Sequence, residues 1–236
     1  MAPIRTNVSL YNRYPGKRVG SVEPFRTYYI IMEGTNTEPD YFRLLEKRLS
    51  DLKIRNNIRI VYLERTQQDR GSNSPRQLFR FLQDFRKCQN DKAAVYCMVF
   101  DRDSYKNQVN PTEGYLNFLN QNQKSKIRMI VSSPCFEVWL LLHQKNSVSD
   151  IIEPNAKPIF ENARLTSSFT YISKMVRDVF GFNPKIMIPE HFLDRLPIAM
   201  SQAHLLTTDL HQMATEIGQN VSEFIAELQF DPRKLS

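Results

Sequence analysis

The chain has 236 residues, 41% of them apolar and 11% aromatic, which is enough to bury a full core and excludes a disordered tail or a disulfide-stapled miniprotein. Thirty-two Lys and Arg against 25 Asp and Glu leave a formal charge of +7, a balance that favours an anionic partner such as nucleic acid. Cys88, Cys97 and Cys135 show no metal-ligand spacing and an odd count, no stretch reaches the ~18 apolar residues of a membrane span, and no signal-peptide core is visible, so a soluble cytoplasmic protein is expected.

Residues 1–26 form a basic arm, with Arg5, Arg13, Lys17, Arg18 and Arg26 against the single acid Glu23, and with Tyr11 and Tyr14 among them. Such an arm either tracks a phosphate backbone, with Arg18 and Arg26 as substrate-binding cations, or packs its tyrosines on the domain as a solvated tail. Residues 27–32, TYYIIM, are β-branched and aromatic enough for a buried strand, which ends at Glu33-Gly34. A helix follows, with Thr37 as its expected N-cap, Pro39 in the first turn and an apolar stripe of Tyr41, Leu45, Leu49 and Leu52. Glu33 therefore lies where strand hands over to helix, beside a glycine that allows close approach of a ligand. It is a candidate metal ligand or general base. Glu38 is a secondary candidate, or an acid that compensates the helix dipole.

Residues 57–63 alternate into a second strand, and Ser74-Pro75 opens a helix with Leu78, Phe81, Leu82 and Phe85 inward. The polar stretch between them, with Glu64, Arg65, Asp69 and Arg70, reads as a solvated loop. Residues 94–103, AVYCMVFDRD, run as a strand apolar on both faces into two aspartates, Asp101 and Asp103, as a parallel strand covered by helices would. Pro111-Thr112 opens another helix, residues 127–131 make a fourth strand, and Pro134 begins a helix bearing Phe136, Val138, Trp139, Leu140 and Leu142. Strand alternating with helix four times predicts an α/β fold: a parallel, doubly wound sheet of about four strands flanked by helices over residues 27–145. A mainly helical region, residues 146–236, is expected to pack on it. There, residues 145–158 read as a linker, followed by helices over 167–180, 198–217 and 221–228.

This order places Glu33, Asp101, Asp103 and the turn 132–137 at the carboxyl edge of the sheet, where open α/β sheets bind ligands. Neighbouring first and third strands would bring three carboxylates together. Crowded carboxylates repel and raise one another's pKa, so such a cluster normally holds a cation, and all-oxygen ligands suit Mg²⁺ or Mn²⁺. Arg102 alternates away from its flanking aspartates, either as a substrate-binding cation or as half of a structural ion pair. His143 is a secondary catalytic candidate or a core histidine. Cys135 reads as a packed thiol and Trp139 as core. His204 and His211 have no third ligand nearby.

Three blocks, IIMEGTNTEPDYF, VFDRD and VSSPCFEVWLLLH, resemble those of the RloB family, whose N-terminal half is similar to Toprim domains; Ser133 stands where that family usually has Asn. The likeness covers roughly residues 25–145. Further on, Tyr171-Ile172-Ser173-Lys174 approximates the family's Tyr-x-Lys element, and Gln219-Asn220-Val221-Ser222 is a reduced form of its Asn-Pro-x-Thr motif. The resemblance implies a Toprim-type site in which Glu33, Asp101 and Asp103 bind Mg²⁺ or Mn²⁺, Glu137 is the added acid and Lys174 the lysine of the nuclease branch. It also implies a nuclease acting on RNA, tRNA included, or DNA, as the effector of a prokaryotic antiphage abortive-infection system beside an AAA or ABC-type ATPase. The competing expectation is a non-catalytic Toprim-like nucleic-acid binder or regulatory partner of that ATPase. Nucleotidyl transfer on the same scaffold is a third.

Overall fold

The computed structural model of the chain describes residues 26–48, 58–63, 74–89 and 91–229. Arg18, the two tyrosines of the arm, Leu49, Leu52 and the loop acids and arginines of residues 64–70 lie outside them. Strand β1 (Arg26–Met32) leads into α1 (Thr37–Lys47), then β2 (Ile58–Tyr62), α2 (Pro75–Gln89), β3 (Val95–Asp101), α3 (Pro111–Asn122), β4 (Ile127–Ser133) and α4 (Glu137–Leu141). The sheet order is β2-β1-β3-β4-β5, parallel through β4, with β5 (Gly218–Gln219) antiparallel at the edge.

Period-2 alternation along the strands explains why the sheet needs cover on both faces. Tyr28, Ile30, Cys97, Val99 and Ile130 point to one core, shared with α1, α4 and the C-terminal helices. Ile31, Tyr96, Met98, Phe100 and Val131 point to the other, under Leu78 and Phe79 of α2 and Tyr115 and Phe118 of α3. The α2 face buries Leu78, Phe79 and Leu82, with Phe81 and Phe85 only half-buried.

The C-terminal half departs most from expectation. Residues 145–158 are not a linker: a π-helical turn (Val148–Ile152), a 3-10 turn (Glu153–Asn155) and α5 (Ala156–Glu161) bury Val148, Ile152 and Ile159 in the first core. Helix α6 spans Tyr171–Phe180, starting at the Thr170–Ser173 capping box. The long helix expected over 198–217 is broken into α7 (Leu196–Gln202) and two 3-10 turns. Asp209 is one reason, because its carboxylate accepts the backbone N–H groups of His211 and Gln212, an arrangement that competes with helix.

Strand β5 and α8 (Val221–Gln229) then return to the sheet, giving five strands where four were expected. Asn220 is the clamp. Its side chain accepts from Val131 N–H at 2.7 Å and donates to Met129 C=O at 3.0 Å, while its own N–H donates to Val131 C=O. The outer edge of β4 is thus satisfied by Asn220 at Met129 and Val131 and by β5 at Ser132 and Ser133, as a buried strand edge requires. Gln219 and Ser222 close a reciprocal pair at the start of α8, so residues 219–222 act as a structural staple.

Candidate functional site

In the observed strand order, β1 crosses to β2 on one side while β3 crosses to β4 on the other. The topological switch point therefore lies between β1 and β3, where α/β folds open a crevice at the carboxyl edge. Their register pairs Met32 with Val99; Glu33 follows one residue after Met32 and Asp101 two residues after Val99. Glu33 N–H donates to Val99 C=O, and the Glu33 carboxylate accepts from Asp101 N–H at 3.3 Å and from the Ser104 hydroxyl. The 3-10 turn Arg102–Tyr105 continues β3 and carries Asp103 and Ser104 to the same rim. Asp103 N–H donates to Pro134 C=O, which ties the aspartate turn to the β4–α4 turn.

Two further acids join them. Glu137 opens α4 and is buried, and Glu38 of α1 is buried at 5% exposure. Gly34 makes room for Glu38: a Cβ there would collide with the Glu38 carboxylate. The electrostatics follow from this crowding. Burial pushes Asp101 well above the ordinary carboxylate range, and Glu38, Glu137 and Glu33 push it further against the pull of Lys185. Burial and then Glu137 raise Glu38 to about 7. Asp103 is raised by burial, partly offset by Asn162, Lys106 and Arg102. The Cys135 thiol is raised by burial and by three of these acids, which makes it a proton-holding, packed group. Glu137 alone runs the other way. Burial would raise it, but the Lys185 ammonium and hydrogen bonds from Lys185 and Cys135 outweigh that and lower it.

Lys185 was not legible in sequence. Its ammonium pairs with Glu137, the lysine side chain being 44% exposed and the glutamate 1%. Burial would depress its pKa, but Glu137, Cys135 and Asp101 hold it above the usual lysine value. Its loop is pinned to the start of α1 by two bonds: Asn36 Nδ2 to Lys185 C=O, 2.9 Å, and Thr37 Oγ1 to Pro184 C=O, 3.0 Å. Thr37 is therefore a tether rather than the expected N-cap, a place Asn36 takes. Asn162, in left-handed backbone conformation (φ 39°), is the other unforeseen residue. Its Nδ2 donates to Asp103 Oδ2 at 2.8 Å, and its Oδ1 accepts from Ile172 N–H.

Several expected site residues stand elsewhere. Lys174 faces solvent and pairs with Asp178 at 2.6 Å within α6, so the lysine among the acids is Lys185. Arg102 is buried, donates to Ala214 C=O at 2.8 Å and stacks 4.7 Å over Phe160, which makes it a brace for the C-terminal region. Arg26 begins β1 at the end opposite Glu33 and lies 3.7 Å from Glu227. His143 is fully buried behind α4, with Nε2 3.2 Å from the Tyr41 hydroxyl and Nδ1 3.1 Å from Trp139 C=O. Burial lowers its pKa to about 3, so it is neutral. His204 and His211 are exposed.

Among the described residues, no group of three or more His, Cys, Asp or Glu side chains is arranged to hold a metal ion as it stands. The donor chemistry nevertheless fits a hard divalent cation. Asp101 Oδ1 and Asp103 Oδ1 are buried with no hydrogen-bond partner among the described residues, whereas native structures pair nearly all such atoms. Carboxylate oxygens of this kind, with Glu33 beside them, could hold Mg²⁺ or Mn²⁺. Among the described residues no helix is long and apolar enough to cross a membrane.

The family profile described as RloB, RloB-like protein, matches residues 28–228. The match reaches well past residue 145, through the C-terminal helices and the 219–222 staple. No curated protein and no solved structure matches the chain.

Proposed function

The chain belongs to the RloB-like family, and on that premise we propose that it is a divalent-metal-dependent nuclease, hydrolysing phosphodiesters of RNA, tRNA included, or of DNA. The observation that carries this reading is the pair of buried, unpartnered oxygens of Asp101 and Asp103 beside Glu33 at the β1/β3 switch point. Glu33, Asp101 and Asp103 would hold Mg²⁺ or Mn²⁺. When bound, the ion supplies charge stabilisation at the phosphoryl oxygens and a more acidic water.

The chain's own groups do the rest. Glu33, braced by the Ser104 hydroxyl and the Asp101 amide, orients the attacking water and takes its proton as the new P–O bond forms and the bond to the leaving sugar oxygen breaks. Lys185, held at Glu137, offsets negative charge in the transition state. Glu38, with a pKa raised to about 7, holds a proton near neutrality. Asn162 fixes the rotamer of Asp103. The cellular setting we propose is the effector of a prokaryotic antiphage abortive-infection system, partnered by an AAA or ABC-type ATPase.

The test incubates the purified chain with Mn²⁺ or Mg²⁺ and RNA or DNA, beside Glu33→Gln and Asp101→Asn, and follows both cleavage and melting temperature. Wild type is expected to cleave and to melt higher with metal, and both variants to lose both responses. Nucleic-acid binding without cleavage, in wild type and in both variants, would favour the non-catalytic nucleic-acid binder instead.

A further inference from the structure

A cavity of about 440 Å³ lies beside Lys185, between the loop that follows α5 and the loop that follows α6. Its walls include Arg164, Ser167, Phe169, Thr170, Lys185 and Ile186, and no carboxylate lines it. The volume falls in the ~300–1,000 Å³ range of small-ligand sites. Lys185 belongs to two places at once: its ammonium meets Glu137 of the acid cluster, and the residue also lines this cavity.

The chemistry of the walls is specific. Two of the N–H donors of Arg164 hold the loop in shape, through Thr166 C=O at 3.3 Å and Ser167 C=O at 3.0 Å, so the guanidinium is fixed before any ligand arrives. Phe169 N–H and Ser168 N–H both donate to the Thr166 hydroxyl, which fixes the backbone from which the phenyl ring projects. Arg177 stacks over that ring at 4.6 Å. Ile186, 76% exposed, adds an uncovered apolar wall. The N-terminus of α6 does not contribute, because Thr170 and Ser173 already cap it.

We propose that this cavity seats one unpaired nucleotide of a single-stranded nucleic acid, next to the phosphate presented to the acid cluster. The inference rests on the nuclease reading above and adds the form of its substrate. Arg164 and Lys185 meet the phosphates, the base lies against Phe169 and Ile186, and the Ser167 hydroxyl faces the sugar. A paired base is already stacked on its neighbours and has no free face for Phe169, so a duplex is excluded at this position.

Binding is measured by fluorescence anisotropy of a short labelled oligoribonucleotide, an oligodeoxyribonucleotide, their duplexes and free AMP. The full chain is used in EDTA, and the Glu33→Gln variant in Mg²⁺. Single strands are expected to bind at least about tenfold tighter than duplexes or AMP. Phe169→Ala should weaken single-strand binding about five- to a hundredfold and leave duplex binding unchanged. Phe169→Leu, which keeps apolar volume without the ring, should give an intermediate loss at unchanged melting temperature. Arg164→Gln should reduce the salt slope by about one phosphate.

Duplex or AMP binding as tight as the strand would overturn the proposal, as would single-strand affinity untouched by the Phe169 and Arg164 substitutions. Cleavage absent with this binding pattern intact would sink the nuclease and leave the groove. Intact cleavage by variants that bind like wild type would sink only the groove.

Discussion

Helices α1 and α4 each contribute to two buried polar clusters, and the clusters differ in kind. One turn apart on α1 lie Glu38 and Tyr41; two residues apart on α4 lie Glu137 and Trp139. Tyr41, the Trp139 carbonyl and His143 form a closed set. Tyr41 donates to one imidazole nitrogen, the other donates to Trp139, and Phe192 stacks on the ring at 4.5 Å. Glu38 and Glu137 face the opposite situation, a crowd of like charges with one lysine and two orphaned aspartate oxygens. Burial is common to both clusters; satisfaction is not. A polar group that has its partners rigidifies a core, whereas buried carboxylate oxygens left without them, among other acids, are open to a cation.

The sharpest way to break this contrast is to neutralise one member of each cluster. Asp101→Asn should reduce metal-dependent cleavage by about a hundredfold or more, yet raise the melting temperature of the metal-free protein at pH 8, because a carboxyl group whose ionisation is opposed by burial and by the neighbouring acids is gone. His143→Ala should lower the melting temperature and leave activity per folded molecule intact. Cleavage assays and calorimetry on the same preparations check both halves.

Next in size is a pH effect at Glu38. Its folded pKa of about 7 exceeds its ordinary value, so its stabilising contribution is complete below about pH 4.5 and is lost as pH rises through 7. The loss is at most on the order of 3 kcal/mol. Glu38→Gln removes it, so the melting-temperature advantage of the variant over wild type should grow from pH 5 to pH 8. His143 slopes the other way: with its pKa lowered to about 3, it costs stability as pH falls below about 6.5, equally in both chains. The difference between the two melting curves therefore reports Glu38 together with the acids it faces, Asp101 and Glu137.

Lys185→Met strips Glu137 of its partner and should destabilise by about 1–3 kcal/mol. That is less than a fully buried pair would lose, because water reaches the half-exposed ammonium. Adding Glu137→Gln should restore most of it, in a double-mutant cycle followed by urea unfolding. The smallest effect is Tyr41→Phe, about 1 kcal/mol for one hydrogen bond, with no change in metal response.

Sequence alone placed the three strands whose ends matter, because continuous apolar runs stop at Glu33, Asp101 and the Ser132–Ser133 turn. It also put Glu33, Asp101 and Asp103 at one sheet edge, but their convergence hung on the first and third strands being neighbours, which only the sheet order supplies, and Glu137 came from the family resemblance. Lys185 was hidden for a physical reason. It lies in a stretch broken by Pro184 and Pro189, with no periodicity, and it is positioned by bonds from Asn36 and Thr37, residues far away along the chain. Asn162 is a single left-handed residue after a short helix, and nothing local distinguishes it from a loop asparagine. The Tyr-x-Lys resemblance pointed to Lys174 by spacing, but α6 turns that side chain outward. The ordered turns over 148–161 were masked by polar composition, although Val148, Ile152 and Ile159 are spaced to share a face.

The staple at Asn220 governs how the chain must be born. Strand β4 emerges from the ribosome 89 residues before the side chain that completes its edge, a delay of roughly 5–20 s at ordinary elongation rates. For that interval the nascent sheet carries an open margin able to recruit a second molecule. Fragments ending near residue 145 would keep that margin permanently, and are expected to aggregate more readily than the 236-residue chain.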